Sequence, residues 1–166
     1  MIPKHARFII CIFFIMFVLG CTAGITKHSR SMVTYTGTFS ALQKTPDAHK
    51  GEVIMFGGRV IEAKTSPSLS ELFVLQLALD TGGRPVNPDQ SEGRFIVQTK
   101  QLLDPAVYQK GILLTVVGTI KGSKVGPIGG FEYIYPSVEL IEIKLWPKGM
   151  RTRPMIHFGI GVGTSF

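Results

Sequence analysis

Five runs of alternating residues, separated by turn-forming segments, limit what this chain can fold into. The runs are residues 53–63, 70–80, 94–98, 112–121 and 137–146. A two-residue alternation is typical of a strand with one buried face. The 19 glycines and 10 prolines supply the turns that an all-β chain needs. We predict a turn at residues 122–130 and a fifth strand that begins after Pro136, because proline cannot donate to a ladder.

Glycines stand at the centres of two of these predicted strands. Gly57 and Gly58 lie in the first run and Gly118 in the fourth, and Gly58 and Gly118 each follow a Lys-Gly pair at the same spacing. Glycine weakens a strand interior and often marks a bulge or a corner. Both strands are therefore predicted to coil at the glycine and close a small barrel.

The order of the elements predicts an all-β fold, a small five-stranded OB-like barrel with one short helix. We expect that helix in residues 102–110, where Asp104-Pro105 forms a good N-terminus and Gly111 a stop. Residues 81–92 form a long loop. In the second strand we expect one apolar set to face the core: Phe73, Leu75, Leu77 and Leu79.

The N-terminal 21 residues predict export. Lys4 and Arg7 precede an apolar run without charge at residues 8–18, which ends in Val18-Leu19-Gly20-Cys21. A basic start, a short apolar run and a small-residue exit are typical of a secretory signal peptide. The run is shorter than the roughly 20 residues of a membrane-spanning helix.

Cys21 makes the prediction more specific, because residues 18–21 resemble a bacterial lipobox. In such signals the cysteine is lipidated and the chain is cut before it. The alternatives are an uncleaved anchor helix and an ordinary cleaved signal. If Cys21 carries lipid and Cys11 is removed with the signal, no cysteine remains for a disulfide or a thiolate site.

Composition divides the chain into four parts. Residues 22–43 are polar and turn-rich, which is typical of a tether, although Tyr35 and Phe39 have the character to pack on a domain. The predicted parts are a lipoprotein signal peptide at 1–20, a flexible lipidated tether at 21–45, the barrel at 46–146 and a tail at 147–166. We expect residues 44–146 to fold alone.

The net charge of the chain indicates the kind of surface that it meets. The net charge of +7 becomes +5 when Lys4 and Arg7 leave with the signal. A basic excess suits an anionic membrane surface. The predicted partners are the membrane, through N-terminal acyl chains, and an envelope protein; nucleic acid is not expected outside the cytoplasm.

The sequence contains no catalytic or metal-binding pattern, so we expect neither an enzyme nor a cofactor. The four histidines are far apart in the sequence and do not have the spacing of metal ligands. A zinc site needs three or four ligands that converge. Asp104 has the chemistry of a general base, but Pro105 after it favours a helix cap. Gly159, Gly161 and Gly163 lack the Lys-Ser/Thr pair of a phosphate loop and suit a flexible tail.

A basic and aromatic face is the one candidate for ligand binding. Its members are Arg59, Arg84, Arg94, Tyr133 and Tyr135. OB-like barrels bind oligonucleotides or sugars on such faces. The alternative is an ordinary solvated strand face. The face supports a hypothesis of a periplasmic binding module for an anionic or sugar ligand.

Several short sequence segments are similar, in their order and spacing, to segments of one protein family. They lie at residues 56–60, 83–85, 91–95, 103–105, 115–122 and 133–136. The segment from His49 to Trp146 resembles the Slp family of outer-membrane lipoproteins, the carbon-starvation-inducible lipoprotein family. The resemblance implies a lipid on Cys21, attachment to the periplasmic face of a Gram-negative outer membrane and a non-catalytic structural or stress-related role. Val18 and the short tail depart from the family pattern.

Overall fold

The computed structural model describes residues 24–87 and 89–146. The predicted signal peptide, Cys21 and the tail from residue 147 lie outside the described residues. Short helices α1 (Lys27–Ser31) and α2 (Phe39–Lys44) and a 3₁₀ helix (Pro46–His49) come first. The strands follow: β1 (Val53–Thr65), β2 (Ser70–Leu77), β3 (Arg94–Thr99), β4 (Leu113–Ile128) and β5 (Phe131–Trp146). Within these two ranges no helix has the length and apolar character to cross a membrane.

The five strands close into a barrel in the order β1-β2-β3-β5-β4, which confirms the predicted architecture. β3 and β5 pair in parallel and every other neighbour pairs antiparallel. Each strand thus pairs with two neighbours. Side chains no more than 2% exposed fill the interior: Ile54, Val60, Leu72, Val74, Phe95, Val97, Leu114, Val116, Ile120 and Val138.

The strand-centre glycines lie where neighbouring strands approach closely. A Cβ on Gly118 would lie 2.5 Å from the carbonyl oxygen of Glu139, and one on Gly58 would lie 2.8 Å from that of Leu75. The pairing register also shifts between Val117 and Gly118. A bulge beside a residue without a side chain lets a strand coil tightly, as the sequence predicts.

Residues 24–45 are not a flexible tether, and the prediction is wrong there. The caps Thr26 and Thr38 start α1 and α2 by accepting backbone hydrogen bonds. Phe39 is 3% exposed and Leu42 is 0% exposed, and both belong to the barrel core. The Phe39 ring lies 5.4 Å from that of Phe56. A chain that began at residue 44 would lack these core side chains.

The segment between β3 and β4 is a capped turn rather than the predicted helix. The Asp104 carboxylate accepts a 2.8 Å bond from the Ala106 amide, and the Asp104 carbonyl accepts from Val107 and Tyr108. The preceding Leu103 is buried and its amide bonds the Ser70 hydroxyl. The cap forms as expected, but this anchored segment does not continue into a helix.

β4 and β5 extend beyond their predicted limits into a hairpin arm, residues 122–136. The predicted turn shrinks to Gly129-Gly130. Gly122, at a φ of 112°, lies at a register shift next to the pairing of Ser123 with Pro136. The bulge absorbs a proline that cannot donate to the ladder, so the strand continues through it.

The buried face of β2 is also opposite to the prediction. Ser70, Leu72, Val74 and Gln76 are buried, whereas Phe73 and Leu75 are only partly buried; of the predicted set, Leu77 is buried but lies outside the barrel core. The outer face is apolar because other parts of the chain cover it: the Phe73 ring packs 5.8 Å from that of Tyr135 in the hairpin arm. Alternation cannot identify the inner face of a strand that is covered on both sides.

Added methyl groups at the two crowded glycines should destabilise the barrel. Gly58→Ala and Gly118→Ala should each lower the free energy of unfolding by about 1–3 kcal/mol, through overpacking. Gly130→Ala is the matched control, because nothing lies within 4 Å of its added Cβ. Urea unfolding of the unlipidated chain from residue 22 measures the effect; three equal midpoints would contradict the coiling account.

Candidate functional site

The structure separates the five predicted ligand-face residues into two regions. Arg94, Tyr133 and Tyr135 lie together, since the Arg94 amide donates a 2.8 Å bond to the Tyr133 hydroxyl and the two tyrosine rings are 4.7 Å apart. Arg59 lies in the same cross-strand row, where Leu75 pairs with both Arg59 and Arg94. Arg84 is elsewhere, 5.3 Å from the Trp146 ring.

The first region is a groove between the outer face of β1–β3 and the hairpin arm. Its volume is about 330 Å³. Phe73, Ile96 and Tyr135 form an apolar floor, and Lys64, Arg94 and Lys124 bring positive charge to its walls. Of the five predicted residues, only Arg94 and Tyr135 line this groove.

Most of the charge in the groove is already paired. Lys124 Nζ lies 2.6 Å from Glu71 Oε1, and Lys64 Nζ lies 3.5 Å from Glu62. Burial favours the neutral form of Glu71, but bonds from Lys124 and Gln98 outweigh it and lower the pKa of the carboxyl. The Arg94 guanidinium makes no hydrogen bond or ion pair with any described residue. It is therefore available to an anion.

Sequence reasoning missed Lys64, Glu71, Phe73 and Lys124 as members of this groove. Lys124 lay in a predicted turn, and only its pairing with Tyr135 in the hairpin arm brings it over β2. The alternation of β2 predicts Phe73 in the core instead. The sequence does not show that β4 and β5 extend into the hairpin arm, and that extension is what forms the groove.

The second region clamps the first described residues to the barrel. Thr26 donates to the Glu142 carboxylate from its amide at 3.1 Å and from its hydroxyl at 2.7 Å. The Arg30 guanidinium donates to the carbonyl of Gly82 at 2.8 Å and to that of Ile25 at 3.3 Å. Ile25 is 5% exposed. The chain is thus fixed to the barrel surface from residue 25 onward.

The end of β5 joins the same region through a buried hydrogen-bond chain. Trp146 Nε1 donates to the Thr115 hydroxyl at 3.0 Å, and that hydroxyl donates to the Gly83 carbonyl at 2.6 Å. Arg84 and Lys144 lie over the Trp146 ring, at 5.3 and 5.9 Å from its centroid. Trp146 was not predicted as a site residue.

Glu142 is ionised where it holds this segment. Desolvation favours its neutral form, but hydrogen bonds from Ser29 and Thr26, with the charge of Arg30, outweigh that effect and lower the pKa of Glu142. The carboxylate therefore accepts the Thr26 bonds at neutral pH.

Asp47 and His49 also have structural partners. Hydrogen bonds from Lys50 and Ser123 lower the pKa of Asp47 to about 2. His49 Nδ1 lies 2.9 Å from Glu52. Across residues 24–87 and 89–146 no three His, Cys, Asp or Glu side chains converge as metal ligands.

The described residues form a closed, small five-stranded barrel of the OB-like class, and the sequence before them predicts a lipobox. The model of the outer membrane lipoprotein Slp family matches residues 18–159. The chain belongs to this family and is an outer-membrane lipoprotein, which confirms the predicted membership and localisation.

Three relatives show how far the similarity extends. The chain is 28% identical over 133 residues to the uncharacterized lipoprotein YeaY of Escherichia coli (strain K12), across 80% of this chain and 68% of the relative. It is 28% identical over 109 residues to the outer membrane protein Slp of the same strain, across 66% and 57%. An uncharacterized protein of Haemophilus influenzae is 26% identical over 96 residues, across 57% and 52%. The chain thus spans just over half the length of the last two relatives.

Proposed function

We propose that this protein is a non-catalytic envelope lipoprotein, held at the periplasmic face of the outer membrane by acyl chains on Cys21. The proposal is based on the hydrogen bonds that hold Thr26 and Arg30 to the barrel. Thr26 follows Cys21 by five residues and already bonds Glu142 on β5. The proposed lipid is therefore attached close in sequence to a residue that is fixed to the barrel.

The chemistry of the carboxylates supports a non-catalytic role. A general acid that works near neutral pH needs a raised pKa. The pKa values of Asp47, Glu71 and Glu142 are all lowered, because each carboxylate accepts structural hydrogen bonds. These groups stabilise the fold and its N-terminal segment.

Removing the Cys21 thiol should remove the anchor. In a Gram-negative host, Cys21→Ala should incorporate no labelled palmitate and either leave the membrane or accumulate as precursor. Cys11→Ala is the matched control, because Cys11 lies inside the predicted signal and leaves with it. This variant should retain label and mature size. Palmitate on membrane-bound Cys21→Ala protein would contradict the proposal.

A second candidate function is a binding module for an amphiphilic anion. The observation that favours it is the groove of about 330 Å³, in which the Arg94 guanidinium stands over an apolar floor. Binding pockets of this kind combine apolar walls with a few polar groups that fix orientation. The ligand would pair an anionic group with Arg94 and lay an apolar part on Phe73 and Tyr135.

The anionic aromatic dye anilinonaphthalene sulfonate is a suitable probe of this groove. Arg94→Gln should weaken dye binding about tenfold, the size of one charge-assisted hydrogen bond. Arg59→Gln is the matched control, since Arg59 shares the cross-strand row but does not line the groove. Fluorescence titration of the unlipidated chain measures both. Equal affinity in the two variants would exclude Arg94 as an anion site.

A further inference from the structure

We propose that one face of the barrel lies directly against anionic lipid headgroups, with Trp146 close to the bilayer. We call it the lipid-facing patch and define it as Lys27, Arg30, Arg84, Lys144 and Trp146. The proposal rests on the proposed acylation of Cys21, and it adds the orientation of the barrel and the chemistry of the surface that it meets.

The length of chain between lipid and barrel sets the distance. Two residues, Thr22 and Ala23, lie between Cys21 and Gly24, so three Cα–Cα steps join them. Such a segment spans at most about 11 Å even when fully extended. Gly24 lies beside Gly82, since a Cβ at Gly24 would be 3.6 Å from the Gly82 carbonyl oxygen. The surface around Gly82 therefore cannot stand far from the lipid.

The contacts of Ile25, Thr26 and Arg30 with the barrel keep that connection short. Peeling the segment away would expose Ile25 and break the bonds of Thr26 to Glu142 and of Arg30 to Gly82. Buried apolar surface and charge-assisted hydrogen bonds both oppose this opening. Helix α1 therefore stays on the barrel and cannot serve as extra tether.

The patch has the chemistry of a surface that meets anionic lipid. Lys27 is exposed, and Arg30, Arg84 and Lys144 are half-buried around the clamp. Two carboxylates lie beside these cations: Glu142, which accepts from Thr26, and Asp80, which accepts from the Arg84 amide at 2.9 Å. Four cations against two carboxylates give the patch a net positive charge, whichever groups each cation contacts. Cations close to an anionic leaflet are attracted within a Debye length.

The last residue of β5, Trp146, belongs to the patch. The sequence that follows it is basic, with Lys148, Arg151 and Arg153 and no Asp or Glu. Two lysines outside the patch, Lys100 after β3 and Lys121 on β4, differ because Lys121 pairs with Glu139 in the middle of β5.

The single tryptophan of the chain makes the orientation measurable. The lipidated full-length protein is reconstituted in phosphatidylcholine–phosphatidylglycerol vesicles with a nitroxide on the lipid headgroup. Fluorescence of Trp146 should be strongly quenched. In the control variant Trp146→Phe with Phe131→Trp, the reporter moves to the start of β5, where residue 131 is 82% exposed, and quenching should be weak. Equal quenching of the two reporters would overturn the proposal.

Lengthening the connection isolates the contribution of charge. With ten Gly-Ser residues inserted after Thr22, quenching should persist at low salt and fall at physiological salt. Lys27→Gln with Lys144→Gln in this background should weaken contact roughly fivefold for each cation. Lys100→Gln with Lys121→Gln is the matched control and should change nothing. Equal loss in both pairs, or persistence of contact on purely neutral vesicles, would overturn the role of the patch.

If Cys21 carries no lipid, the experiment gives a result that differs from that of a lipidated barrel in another orientation. A protein without lipid on Cys21 would not float with vesicles at physiological salt, whereas a lipidated protein in another orientation would float and leave Trp146 unquenched. Flotation is therefore scored before fluorescence, and only floating protein tests the patch.

Discussion

The ring of Phe39 packs against Phe56 and Phe95 inside the barrel, at centroid distances of 5.4 and 6.0 Å. This contact joins the N-terminal segment to the core that the strands enclose. Burying a side chain of this size contributes about 1.5–3 kcal/mol, and the fully buried Leu42 adds a similar amount. Marginally stable domains depend on contributions of this size. With the proposed lipid on Cys21, the same packing would set where the barrel stands relative to the membrane.

Two local irregularities shape the rest of the surface. The bulge at Gly122 carries β4 and β5 through Pro136 into the hairpin arm, and the arm folds Tyr135 over Phe73 to form the groove. The loop at Gly82-Gly83 accepts hydrogen bonds from Arg30 and Thr115, and it joins the start of the described chain to the end of β5. The groove and the lipid-facing patch therefore occupy different regions. Ligand binding in the first does not require release from the second.

The sequence predicted the features that depend on local pattern. Two-residue alternation located all five strands, and Gly58 and Gly118 lie where neighbouring strands approach closely. Patterns that depend on tertiary contacts were misassigned. The short polar helices before β1 are held by Phe39 and Leu42 in a distant core, the inner face of β2 is obscured because both faces are covered, and the hairpin arm needs a bulge to accommodate Pro136. Of the predicted ligand face, Arg94 and Tyr135 line the groove, but their charged neighbours Lys64 and Lys124 lie where β1 and β4 extend beyond their predicted limits.

Amide hydrogen exchange tests most directly whether the segment after the anchor belongs to the fold. Three of its amides have defined acceptors: Arg30 bonds Thr26, Tyr35 bonds Val53 and Leu42 bonds Thr38. The Val60 amide on β1, bonded to Ile112, is the reference for the barrel. If the segment and the barrel form one cooperative unit, the amides of Tyr35 and Leu42 should exchange as slowly as that of Val60, with Arg30 also protected. Exchange of all three at the rate of an unstructured peptide, while Val60 stays protected, would contradict the account.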